Sequence, residues 1–136
     1  MGDDQKVELI KFDLARAQDD LETAEVDLSA GKYRGAANRA YYAMFHCVRA
    51  ALLWHNIQRS KHSGVEAAFG QVLIKTQIIE PEYFALYRSA RDTREHQDYD
   101  REVEEISQTD TTQLVANAKR FVERLEKYLR DVGAIE

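Results

Sequence analysis

Between Val7 and Leu28 apolar residues recur at alternating steps of three and four: Val7, Ile10, Leu14, Ala17, Leu21, Ala24 and Leu28. That spacing puts all seven on one face of an α-helix, as in the seam of a coiled coil or helix bundle. A single amphipathic helix leaves such a stripe in water, so the segment from about Asp4 to Ser29 commits the chain to helices that pack against it. Ser29-Ala30-Gly31 predicts the stop, because glycine takes the left-handed conformation that closes a helix.

The same periodicity continues. A second helix is predicted to begin near Tyr33 to Gly35 and to run to about His55, with Ala37, Ala40, Tyr41, Met44, Cys47, Val48, Ala51 and Trp54 on one face and further apolar residues around the rest. Being apolar almost all round, it is expected at the bundle centre. His55 to His62 lacks apolar periodicity and reads as a loop. Ser63-Gly-Val-Glu66 has the pattern of a capping box, which starts a third, shorter helix with Val65, Ala68, Phe69, Val72 and Thr76 inward. Pro81 suits a first helical turn, so a fourth helix is expected from about Glu80 to beyond Arg94. Asp100 to Asp110 reads as an acidic loop. Asp110-Thr-Thr-Gln113 offers a cap for a last amphipathic helix, stopped by Gly133.

One proline and six glycines in 136 residues leave little room for hairpins. The expected fold is all-α: an up-and-down bundle of four long helices plus one shorter helix, in a single domain spanning the chain. The lone Cys47 makes no internal disulfide, no apolar run approaches a membrane span, and Met1-Gly-Asp-Asp-Gln is not a basic-then-apolar leader. A reducing cytoplasm is the expected setting, with no membrane partner.

The formal net charge of -5 hides a segregation. No Asp or Glu lies between Leu28 and Val65, an interval that holds Lys32, Arg34, Arg39, Arg49, Arg59 and Lys61 with His46, His55 and His62. Arg49, Arg59, Lys61 and His62 are therefore candidates for binding nucleic acid or another anion, although an acidic partner protein would meet the same surface.

The fourth helix ends in Arg88-Ser-Ala-Arg-Asp-Thr-Arg-Glu-His-Gln-Asp-Tyr99, where the apolar stripe turns charged. By helical spacing Phe84, Tyr87, Arg91, Arg94 and Asp98 share one face. Two buried guanidiniums without partners would cost several kcal/mol, so either Asp98 and other acceptors satisfy them or the stripe opens into a cleft that an anion enters. On the second helix Asn38, Tyr42 and His46 interrupt the apolar surface at steps of four, as a satisfied polar seam in the core or as the far wall of that cleft.

Three segments stand in order along the chain: Asn38-Arg-Ala-Tyr-Tyr-Ala-Met-Phe-His46, Lys61-His-Ser-Gly-Val-Glu-Ala-Ala-Phe69, and Arg91-Asp-Thr-Arg-Glu-His96 followed by Asp98-Tyr99. Together they resemble the HEPN family of small helical prokaryotic proteins, over most of the chain. The resemblance implies a four- or five-helix bundle that forms a homodimer, a metal-independent ribonuclease toxin needing no cofactor, and a small nucleotidyltransferase antitoxin as partner. The family hallmark is an arginine, a polar residue directly after it and a histidine a few positions on; it falls on Arg91, Asp92 and His96, which are the implied catalytic residues. Within the subgroup that carries Arg-Ala-Tyr-Tyr-Ala and His-Ser-Gly, the implied set is instead Arg94 with Asp98 and Tyr99, and His96 is incidental.

The chemistry is coherent. RNA cleavage without metal needs a base for the 2'-hydroxyl proton, an acid for the leaving 5'-oxygen and fixed positive charge on the phosphorane. His96 would serve as base or acid, Arg91 as the phosphate fork, and Asp92, four before His96, as a carboxylate favouring the charged imidazole. Arg91 and His96 are five apart, roughly 140° around a helix and about 7.5 Å along it, so they converge only if the helix breaks or a second protomer completes the site. Two other readings stay open: a binding module that holds a nucleotide or partner protein through Arg91 and Arg94 without turnover, and a metal site from Asp92, His96 and Asp98 or Glu102.

Overall fold

A computed structural model describes residues 2–99 and 102–136. Helix α1 spans Asp3–Ser29, α2 Tyr33–Trp54, α3 His62–Ala68, α4 Pro81–Tyr99 and α5 Gln108–Asp131, and α3 runs on without a break into a π-helical stretch, Phe69–Ile74. Among the described residues there is no strand. The expected all-α bundle of four long helices and one shorter one is what the chain forms.

α1 ends as its glycine requires: Gly31 has φ +75°, and Lys32 N donates to Asp27 O at 2.8 Å. The chain then doubles back, so Lys6 near the start of α1 reaches Trp54 at the end of α2. α2 is the central helix, burying fourteen residues from Ala36 to Leu53 and contacting every other element. α4 runs antiparallel to α2, with Asn38 meeting Asp98 at one end, and α5 runs antiparallel to α4, with Arg124 on Glu80. Tyr83, Tyr87, Phe69 and Phe121 form an edge-to-face aromatic cluster where the π-helical stretch, α4 and α5 meet.

Local details differ from the expectations. Ser63 and Glu66 do not form a capping box: α3 begins at His62, its N-cap Lys61 makes no side-chain cap, and Glu66 is drawn across to Arg91. Ser63 sits inside the first turn, where its hydroxyl no longer faces the free amides. In the π-helical stretch, closed by Lys75 N on Gly70 O, Leu73 reaches the core while Val72 is only half-buried and Thr76 is exposed. The wider turn rotates the stripe, and the Thr76 hydroxyl donates back to Val72 O.

The cap of α5 is Ser107, not Asp110; Ser107 Oγ accepts from Asp110 N at 3.0 Å. The acidic stretch before it was expected from Asp100, which lies outside the described residues. Its later part is clamped by buried Gln97, whose amide donates to Glu104 O and accepts from Ile106 N, each at 2.9 Å. An aperiodic sequence is thus held by one side chain of α4.

Candidate functional site

The buried stripe of α4 is Tyr83, Tyr87, Ala90, Arg94 and Gln97. Arg94 is therefore a core residue, while Phe84, Arg91 and Asp98, expected on the same face, lie along its edge. The Arg94 guanidinium sits 4.9 Å from the Tyr41 ring centroid and 5.5 Å from that of Tyr42, held over the electron-rich faces that a delocalised cation prefers. Its Nη1 is 3.4 Å from Asp98 Oδ2, and the same carboxylate oxygen accepts from Asn38 Nδ2 at 3.2 Å. These contacts tie the end of α4 to the start of α2. Arg94 Nε has no hydrogen-bond partner among the described residues.

Arg91 emerges on the edge facing α3. Its Nη1 donates to Glu66 Oε2 at 2.6 Å, and Asp92 Oδ1 accepts from its Nη2 at 2.8 Å and from its Nε at 3.2 Å. The hydrogen bond to Asp92, followed by the charge of Glu66, pushes the guanidinium pKa further up. Arg91, Glu66, His62, Gly70, Phe84 and Glu95 line a groove of about 460 Å3. Gly70 keeps it open to Phe84, since a Cβ there would stand 3.3 Å from the ring. His62 packs on Phe45, Tyr42 and Tyr41 with centroids 4.6, 5.6 and 5.7 Å away. Burial first, then the charge of Arg94, lowers its pKa, so the neutral imidazole is the form this groove favours.

His96 faces elsewhere. It is exposed and lines a depression of about 390 Å3 with Thr93, Gln97 and, from α5, Gln113 and Asn117. Asp92, the residue expected to hold its imidazole, is turned to Arg91. Within one chain the structure brings Arg91 together with Glu66, Asp92 and His62, and sets His96 on a separate surface. Tyr99, 75% exposed, stands at the last turn of α4.

The polar seam of α2 divides. Asn38 and Tyr42 do meet the α4 end, through Asp98 and Arg94. His46 points to α1 instead, its Nδ1 3.7 Å from Asp13 Oδ1 and its Nε2 3.6 Å from Asp20 Oδ2. Asp13 and Asp20 are both buried, and each also faces an arginine of the basic interval, Arg49 at 3.9 Å and Arg39 at 3.0 Å. Part of the cationic surface expected from the interval without acids is thus countered from α1. Arg59 and Lys61 remain exposed in the loop before α3. Asp13 and Asp20 are the charged groups that sequence reasoning passed over, while Glu66, read as a cap, pairs with Arg91 instead. The signal available for the first two was their seven-residue spacing, each directly before a seam leucine.

The family described as HEPN domain matches this chain over residues 10–128, which includes both grooves of α4 and the His46 cluster. A Methanocaldococcus jannaschii protein named "Putative toxin" is 36% identical over 124 residues, 91% of this chain and 83% of that protein. A second from the same organism, named likewise, is 35% identical over 121 residues, 82% of this chain and 87% of that protein. A Thermotoga maritima protein named as a UPF0332 protein is 32% identical over 128 residues, 94% of this chain and 96% of that protein.

Proposed function

The chain belongs to the HEPN family, and from that membership we propose that it is the toxin of a toxin–antitoxin module, acting in the cytoplasm as a metal-independent endoribonuclease. The observation that carries this reading is the end of α4: buried Arg94 anchors it to α2, and from that fixed base Arg91, Asp92, His96 and Tyr99 project to the surface within three turns. A rigid helix holding a guanidinium fork and an imidazole near solvent supplies the two kinds of group that phosphate transesterification needs. In this reading Arg91 clamps the scissile phosphate and His96 moves the proton of the 2'-hydroxyl or of the leaving 5'-oxygen. Because the two face different grooves, the active form is a homodimer in which an arginine of one copy meets a histidine of the other. An incoming phosphate takes the place of Glu66 and Asp92 on Arg91, exchanging one pair of anionic oxygens for another.

The test is cleavage of single-stranded RNA by purified protein in EDTA, leaving a 2',3'-cyclic phosphate and sparing DNA. Arg91→Ala and His96→Ala should each abolish it. Cleavage that survives in the doubly substituted protein comes from a contaminating nuclease and removes the enzymatic reading.

A second reading has its own support, since Arg91 is already ion-paired and His96 is remote from it. In that case the chain binds a nucleotide or a nucleotidyltransferase-type antitoxin without turnover, through Arg91, with buried Arg94 holding the helix end beneath it, and His96 is indifferent. The antitoxin belongs to both readings; its test is co-purification from a strain expressing the two proteins.

A further inference from the structure

A second cavity, about 460 Å3, opens between the first half of α1, the second half of α2 and the loop before α3. Its floor is aliphatic, from Leu9, Leu52, Leu53, Ile57 and Val65, and Phe12 stands beside it, 59% exposed. Three guanidiniums, those of Arg16, Arg49 and Arg59, share this space with one carboxylate, that of Asp13. One carboxylate offsets at most one of the three. Arg49 is 3.9 Å from it, Arg59 donates only to the Gln58 carbonyl of its own loop, and Arg16 lies over the Phe12 ring with no ion pair among the described residues.

His46 forms part of the cavity wall. It is 6% exposed, and its Nδ1 faces inward, 3.7 Å from Asp13 Oδ1, with no hydrogen-bond partner among the described residues.

We propose that this cavity is a binding site for a small amphipathic anion, a flat ring-sized body carrying a phosphate or a carboxylate. The ring lies between Phe12 and the aliphatic floor, and the anionic group meets the planar forks of the arginines. The volume is that of a pocket which encloses one small molecule. Cations in excess over anions around an apolar floor select both halves of such a ligand, where a bare inorganic anion would leave the floor unused. The site is separate from the Arg91 groove and stands whether or not the chain cleaves RNA.

Calorimetric titration of the full chain with phenyl phosphate, benzoate, inorganic phosphate and phenol tests it. Phenyl phosphate or benzoate should bind at least about tenfold tighter than inorganic phosphate or phenol, and the tighter of the two names the anionic group. Arg59→Ala, in an exposed loop, should weaken that binding about tenfold, and Phe12→Ala, also exposed, should remove the preference over inorganic phosphate. Inorganic phosphate binding as well as the aryl anions would reduce the site to a surface cluster of cations and overturn the proposal. So would the absence of aryl-anion binding, affinity unchanged in both variants, or binding lost in Arg91→Ala.

Discussion

Glu66 Oε2 lies 2.6 Å from Arg91 Nη1, joining α3 to α4 across the groove in which the proposed phosphate fork sits. Both side chains are partly buried, 18% and 25% exposed, so their attraction is screened less than that of a surface pair. The same contact stabilises the fold and occupies the arginine. Glu66→Gln should therefore lower stability by about 1 kcal/mol while raising affinity for single-stranded RNA, if Arg91 takes a phosphate. Urea denaturation and filter binding of the variant check the two halves separately.

Arg94 and His96, two residues apart, should separate scaffold from surface. Arg94→Ala removes the cation over Tyr41 and Tyr42 and leaves Asp98, among the described residues, with only Asn38 Nδ2, so it should cost about 3 kcal/mol. His96→Ala, at an exposed position, should stay within about 0.5 kcal/mol. Chemical denaturation of both variants that ranked them the other way would reverse the assignment.

The two imidazoles with lowered pKa values make stability fall on the acid side. His55, whose Nε2 lies 2.6 Å from the Tyr128 hydroxyl, and His62 are both below their ordinary value of 6.5, burial being the first cause in each. The unfolded chain then binds more protons, so their contribution is fully present above 6.5 and is lost as pH drops through the folded values. Melting temperature should decline between about pH 7 and pH 5, and the decline should be shallower in a His55→Asn, His62→Phe double variant. A slope unchanged in that variant would assign it to other groups.

Assembly is measurable directly. Light scattering at micromolar concentration should give twice the 15.7 kDa chain mass. A monomer there would remove the shared Arg91 and His96 site and leave the binding reading of the α4 end.

The identity of Arg91 as a fork, and not only as a charge, has its own check. Arg91→Lys should keep most of the fold stability, because an ammonium still reaches Glu66, yet should lose at least about tenfold in RNA cleavage. Activity equal to that of the unsubstituted protein would make the planar geometry irrelevant.

The helices were legible because their determinants are local. Steps of three and four from Val7 to Leu28, glycines at 31 and 133 with φ +75° and +81°, and Pro81 at the first turn of α4 each act within one turn of chain. The same rule placed Arg94 inward. Which partner each charged group takes was decided by tertiary structure, because ion pairs form between elements whose rotation and offset no single periodicity encodes. Glu66 could cap its own helix or cross to Arg91, and the packing of the π-helical stretch on α4 brought the two within reach. Asp13 and Asp20, each directly before a seam leucine, are buried because α2 lays His46 between them. His96 and Arg91, five residues apart on an unbroken helix, were close in sequence and were sent to different grooves by the same 100° per residue that made α4 readable.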